Sequence, residues 1–280
     1  MSQQNTHTSI IWFTTHKCAS LYMKDFLGQL AQATGMKHID FEGDFWLDGK
    51  DFLQELIEHP EKQYFHSSGY IYGPFRNFFY QKVPNSIKNF EKYKVVTMLR
   101  DPRDVLTSLY FSMGYSHSIP ENKKSEVLSQ RAAALNTSID NYVLENIFFQ
   151  NLYHEYVQKC LPLPNVLLTR YEDMVNCFEK WLKDLLYFIE IEIDGKTLNN
   201  LINSTDFEVE ENMYAHKRQV KPGDHRRKLK ISTIRKLNQE YSQVLKRLGY
   251  VTDFTKEDLE LSRILLSRAI QANSKKNQHK

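Results

Sequence analysis

The chain has 280 residues, and 37 Lys and Arg against 34 Asp and Glu leave a net charge of only +3. A dedicated nucleic-acid binder carries a larger basic excess on one face, and a disordered chain carries fewer apolar residues than the 41% found here. The 17 Phe, 16 Tyr and 3 Trp demand a sizeable core.

In chain order, Thr8–Thr14 is a short continuous apolar run and reads as a buried parallel strand. After a polar loop, Leu21, Phe26, Leu27 and Leu30 recur at helical spacing, predicting a helix from Ser20 to Gly35. Gln63–His66 reads as a second strand and Tyr93–Leu99 as a third, ended by Arg100-Asp101-Pro102 because Pro102 holds Asp101 extended. Arg103–Ser112 reads as a helix, Asn141–Cys160 as a long amphipathic one, and Asn165–Thr169 as a fourth strand. Val175–Ile189, Thr233–Leu248 and Lys256–Ala272 are helical by the same spacing. Ser116–Ser129 and Thr205–Lys230 are polar and read as loops.

This alternation predicts an α/β fold of three layers, a parallel sheet with helices on both faces. Residues 1–280 are expected to form one domain, with a fraying basic tail at Asn273–Lys280. Cys18, Cys160 and Cys177 contain no C-x-x-C, so a reducing, cytoplasmic setting is expected rather than a disulfide scaffold. The polar start lacks the pattern of a secretory signal, and no run of about 18 apolar residues predicts a membrane span.

Two segments carry chemistry. Thr14–Ser20 joins a buried strand to a helix start, where unpaired N–H groups and the helix dipole favour a phosphate or sulfate. Lys17 adds a charge and Ser20 a hydroxyl at the helix cap, although a capped helix with a solvated lysine has the same composition. In the second segment, Arg100 ends a strand, where open α/β sheets bind ligands, and Ser108 follows on the next helix. A guanidinium matches phosphate geometry, but Arg100 also suits a surface pair with Asp101 or Asp104. Gly195-Lys196-Thr197 is no Walker A sequence, because Glu190 stands where its first glycine belongs; Asp194 would cap a helix there.

Together these segments resemble the sulfotransferase family, whose enzymes use 3′-phosphoadenosine 5′-phosphosulfate (PAPS). The family's first motif reads like P-K-S-G-T-T-W, against His16-Lys17-Cys18-Ala19-Ser20-Leu21-Tyr22 here. Its second reads like R-N-P-K-D-V-x-V-S, against Arg100-Asp101-Pro102-Arg103-Asp104-Val105-Leu106-Thr107-Ser108. The segment Leu168–Met174 is similar to a Y-E-D-[LM] motif, and Arg218–His225 to a late R-K-G-x-x-G-D-W loop. The departures are Ala19, Leu21 and the His16 that replaces proline.

The resemblance implies a P-loop-like sulfotransferase fold and PAPS as co-substrate, without a metal. By it, Lys17, Cys18, Ala19 and Ser20 cradle the 5′-phosphosulfate, and Leu21 and Tyr22 complete that cofactor-binding segment. Lys17 bridges the leaving phosphate and the transferring group, while Arg100, Ser108 and Arg218 hold the 3′-phosphate. Tyr22 and Tyr171 would stack on adenine and read its edge, unless they are core. His66 is the implied base for an acceptor hydroxyl, with His16 its competitor and Gly69 and Gly73-Pro74 a substrate-side loop.

The acceptor is expected to be a small-molecule or a lipid- or carrier-bound hydroxyl, the aromatic content leaning towards an apolar or phenolic one. No zinc is expected at His216 and His225, which lack partners at ligand spacing. The seven Lys and Arg of Lys217–Lys230 suit a phosphate-gripping loop better than nucleic acid, because stacking aromatics are absent there. The stripe Tyr142, Phe148, Phe149, Tyr153 and Tyr156 reads as core. The alternatives are a relative that binds the nucleotide without transferring sulfate and, further off, a P-loop kinase or NTPase.

Overall fold

The computed structural model of the chain describes residues 7–79, 90–117, 124–215 and 217–250. Five strands, β1 (Ile10–Phe13), β2 (Lys37–Ile39), β3 (Tyr70–Phe75), β4 (Lys94–Leu99) and β5 (Val166–Arg170), pair in parallel in the order β2-β3-β1-β4-β5. Strand side chains alternate between faces. Ile10 and Trp12 of β1 accordingly enter one apolar cluster with Val96 and Met98 of β4. Ile11 and Phe13 enter the other with Val95 and Leu99. Both faces of the sheet are therefore buried, giving the three-layer architecture.

After β1 comes α1 (Ser20–Thr34), whose Met23, Phe26, Leu27 and Leu30 cover the first face. After β2 come α2 (Phe41–Leu47) and α3 (Phe52–Glu58), with Phe52 and Leu56 on the second face. After β4 come α4 (Pro102–Phe111), α5 (Lys124–Leu135), α6 (Ile139–Leu144) and α7 (Ile147–Glu155). After β5 come α8 (Tyr171–Asn176), α9 (Phe178–Ile189) and α10 (Gly195–Asn203), then α11 (Asp224–Lys228), α12 (Ile231–Glu240) and α13 (Ser242–Leu248). Asp194 caps α10 as its sequence suggests, its Oδ1 accepting from the Thr197 N–H at 3.0 Å.

Several expectations need correction. Gln63–His66 is loop, and the strand is β3, which begins four residues after His66. Gly73-Pro74, expected in a loop, lies inside that strand. Gly73 has φ +114°, and a Cβ there would meet the Trp12 carbonyl oxygen at 2.5 Å, so glycine lets β3 approach β1. The expected Asn141–Cys160 helix is broken at Glu145 and Asn146 and ends in one wide turn, Tyr156–Cys160. The expected Thr233–Leu248 helix is divided at Tyr241. Helices α5 and α11 occupy parts of the stretches read as loops. The expected Lys256–Ala272 helix, the 273–280 tail and His216 lie outside the described residues.

Candidate functional site

The C-terminal ends of β1, β4 and β5 carry the residues that sequence marked out, the edge where open parallel sheets place ligands. From β1 the chain turns through Lys17 (φ 63°) and Ala19 (φ 55°), both left-handed. Such reversals turn backbone N–H groups into an anion-binding concavity at the start of α1. Ala19, not Ser20, is the helix cap, and it makes no side-chain cap bond. Two buried groups anchor the loop beneath: the Thr14 hydroxyl donates to the Met98 carbonyl at 3.0 Å and the Cys18 thiol to the same oxygen at 3.5 Å. Burial pushes the Cys18 thiol up to about 12, so it serves as packing rather than as a thiolate.

From β4 comes Arg100, only 4% exposed. Its Nη1 donates to the Lys17 carbonyl at 3.0 Å, and its guanidinium lies 4.4 Å from the centre of the Tyr171 ring. The Tyr171 hydroxyl donates in turn to the Val220 carbonyl at 2.7 Å. Tyr171 thus seats Arg100 and ties it to the late loop. Glu172, next in sequence, accepts from the Asp101 N–H at 3.0 Å and from the Tyr250 hydroxyl at 2.7 Å, holding the turn after Arg100. Ser108 is half-buried one helical turn beyond Asp104, on the same side of α4.

The late loop is pinned to α4. Asp104, fully buried, accepts from the Gly223 N–H at 2.6 Å and the His225 N–H at 2.9 Å. Arg218 stacks on Phe111 at 4.3 Å, donates to Glu211 at 2.7 Å and pairs with Asp224. Arg100 and Arg218 come near enough to Lys17 to matter electrically. Burial first, then these two guanidinium charges, lower the Lys17 ammonium to about 8. Three cations far apart in sequence converge on one edge.

At this edge Arg100 Nε is buried without a hydrogen-bond partner, as are some atoms of the core such as Trp12 Nε1. A buried guanidinium nitrogen left unpaired is costly, and an anion there removes the cost. Tyr22 packs in an aromatic group with Phe26, Phe178 and Phe207, the last at 5.3 Å, and burial raises its hydroxyl pKa. Leu21 is exposed on the first turn of α1.

His66 does not join this edge. It precedes β3 and is exposed; its neighbour Ser67 accepts from the Ser9 N–H, before β1, at 2.9 Å. That is the N-terminal edge of a parallel sheet, opposite Lys17 and Arg100. Its ring stacks on Tyr70 at 5.2 Å. The expectation of a base at His66 is corrected by strand direction. What the end of β3 delivers instead is Arg76, whose Nε donates to Ser20 Oγ at 3.2 Å. Arg76 in turn holds Glu42, at the start of α2. His16 borders this group at the surface; desolvation by the chain around its ring, then the charges of Arg76, Lys17 and His117, lower its pKa. Glu42, Arg76 and Glu211 were not singled out from sequence, and Glu172 only as part of the Leu168–Met174 segment; their order along the chain gives no sign that they meet.

A family model described as the sulfotransferase domain matches residues 8–249. The chain belongs to the sulfotransferase family. Among solved structures it is similar to mouse sulfotransferase SULT7A1 complexed with PAP, with a TM-score of 0.57, 14% identity and coverage of 93% of this chain and 90% of that one. It also matches retinol dehydratase in complex with androsterone and inactive cofactor PAP, with a TM-score of 0.48, 13% identity and coverage of 85% and 80%. No curated protein matches it in sequence. As a sulfotransferase-family member with a five-stranded parallel sheet, the protein has the P-loop-like α/β fold. Among its described residues no group of three His, Cys, Asp or Glu is placed to hold a metal. No helix there is long and apolar enough to cross a membrane.

Proposed function

We propose that this sulfotransferase takes its sulfuryl group from PAPS and passes it to the hydroxyl of a small-molecule or a lipid- or carrier-bound acceptor. The observation that carries the reading is the convergence of Lys17, Arg100 and Arg218 on one sheet edge, with Arg100 Nε buried and unpaired. Lys17 at the start of α1, with Arg100 and Arg218 beside it, suits a nucleotide with a phosphate at each end. Lys17 and the N–H groups opening α1 would take the 5′-phosphosulfate; Arg100, Ser108 and Arg218 would take the 3′-phosphate.

When bound, PAPS supplies an activated sulfuryl group with a phosphate as leaving group. The protein orients it and holds positive charge where negative charge grows. Donors preorganised in this way are worth about 3–4 kcal/mol each when one is lost. An acceptor with an apolar body fits the nearby surface, where His16 meets Phe149 edge-on at 6.4 Å beside exposed Ile147 and Phe148. The free thiols Cys18, Cys160 and Cys177 agree with a reducing, cytoplasmic setting.

The test is calorimetric titration with PAP (3′,5′-adenosine bisphosphate) and with 5′-AMP. The wild type should prefer PAP by roughly 10–100-fold, the value of a charged hydrogen-bonded group. Arg100→Lys, which keeps charge but loses the planar fork, should erase most of that preference. Equal affinity of the wild type for both nucleotides would remove the 3′-phosphate from the reading.

A further inference from the structure

With His66 on the far edge, the acceptor proton needs another destination. We propose that Glu42 is the general base of the transfer, held in place by Arg76. The inference rests on the sulfuryl-transfer reading above.

The geometry starts at the loop. Ser20 is the first residue of α1, and its Oγ accepts from Arg76 Nε at 3.2 Å. The same guanidinium reaches Glu42 Oε2 through Nη1 at 3.4 Å, and the Arg76 backbone N–H donates to that oxygen at 2.9 Å. Arg76 therefore links the carboxylate to the loop that would hold the phosphosulfate. Both contacts fall on Oε2, and Oε1 has no hydrogen-bond partner among the described residues. One oxygen fixes the side chain while the other is left to accept a proton. The side chain of Glu42 is 18% exposed, so an acceptor can approach it.

The surrounding charges suit the role. Burial, helped by the Asp40 charge and opposed by the backbone N–H and charge of Arg76, raises the Glu42 carboxyl to about 7. Asp40, at the cap of α2, is itself paired with Lys24 of α1 at 2.9 Å, and Tyr156, whose hydroxyl donates to the Thr14 carbonyl, lies within electrostatic reach of Glu42. A base is most effective when its pKa lies near the working pH. His16, the other titratable group nearby, is shifted the wrong way for a base. In the transfer, the acceptor O–H proton passes to Glu42 Oε1 as the acceptor oxygen bonds to sulfur. The bond from sulfur to the 5′-phosphate oxygen breaks, and PAP leaves with that electron pair, its charge met by Lys17.

The test is PAPS turnover to PAP, with 2-naphthol and with water as acceptors, across pH 5–9, alongside PAP binding by calorimetry. Glu42→Gln should lower turnover by about 10²–10⁴-fold and leave the PAP dissociation constant within about threefold. Glu42→Asp, one methylene shorter, should recover part of the rate. In the wild type the rate should rise with pH through about 7, and that limb should vanish in Glu42→Gln. Wild-type turnover preserved in Glu42→Gln would overturn the assignment while leaving the sulfotransferase reading intact. Wild-type PAP binding without turnover of PAPS by either acceptor would overturn the base together with the transfer. Loss of PAP binding in the wild type would overturn the nucleotide reading itself.

Discussion

Asp104 and His225 meet at 2.6 Å between Oδ1 and Nδ1, both buried, and this contact joins α4, the helix after β4, to α11 more than a hundred residues later. Burial alone would raise the Asp104 carboxyl. The His225 ring, its hydrogen bonds and Arg100 outweigh burial and hold the carboxyl well below the ordinary carboxylate range. The same carboxylate receives the N–H groups of Gly223 and His225, so it sets where the late loop starts to return over Arg100.

Asp104→Ala leaves two backbone N–H groups and a ring nitrogen buried without a partner. It should cost about 3–5 kcal/mol of stability in urea denaturation, the usual cost of removing one member of a buried pair. The pH dependence has a definite sign. The folded pKa lies below the unfolded value, so the Asp104 contribution is complete above about pH 4 and is lost as pH falls further. Acid denaturation of the wild type should therefore begin below pH 4, and a variant that kept full acid sensitivity without Asp104 would contradict this.

Lys17 gives the opposite dependence for ligand binding. Its ammonium is lowered to about 8 by burial, Arg100 and Arg218, and a bound phosphate favours the protonated form. The PAP dissociation constant should be flat below about pH 7 and should rise as pH passes 8. In Lys17→Met the constant should be higher and flat across pH 7–9. Fluorescence titration at three pH values distinguishes the two behaviours.

Glu211 is gripped by three cations: Arg218 at 2.7 Å, Lys228 at 2.8 Å and Arg227 at 3.0 Å. The Lys228 bond first and then, against some burial, the Arg227 bond hold its carboxyl at about 2. On the proposed reading, a 3′-phosphate would compete with this carboxylate for Arg218. Glu211→Gln should tighten PAP binding by about two- to fivefold, the scale of a partly exposed ion pair. The gain should shrink at high salt, and weaker binding would show that Glu211 positions Arg218 rather than competing for it.

His66→Ala should keep PAPS turnover and PAP affinity within about twofold of the wild type, because surface substitutions away from a site have small effects. Initial rates at saturating PAPS give the answer. A loss beyond tenfold would return His66 to the reaction.

How much was legible beforehand follows from which signals are local. The buried runs of β1 and β4, the helix after each and the cation at each strand end are written in consecutive residues, and the structure has them in place. The three-residue edge strand β2 has no apolar run to announce it, and β3, although buried, carries Gly73-Pro74, which reads as a turn. Ala19 shows a mixed case: the sequence marks a departure from glycine, and the structure places it at φ 55°, in the region glycine favours.

The base shows the limit most clearly. Sequence could name His66 as a titratable residue close to a strand, but not the end of the sheet on which it lies. Strand order and direction placed His66 at the N-terminal edge and brought Arg76 and Glu42 to the loop. Consecutive residues carry the layered α/β class, the family motifs and the cations proposed to bind an anion, because motifs and periodicity are short-range. Only the tertiary structure decided which of these groups meet, since parallel strands send consecutive segments to opposite edges and pairing alone sets which loops become neighbours.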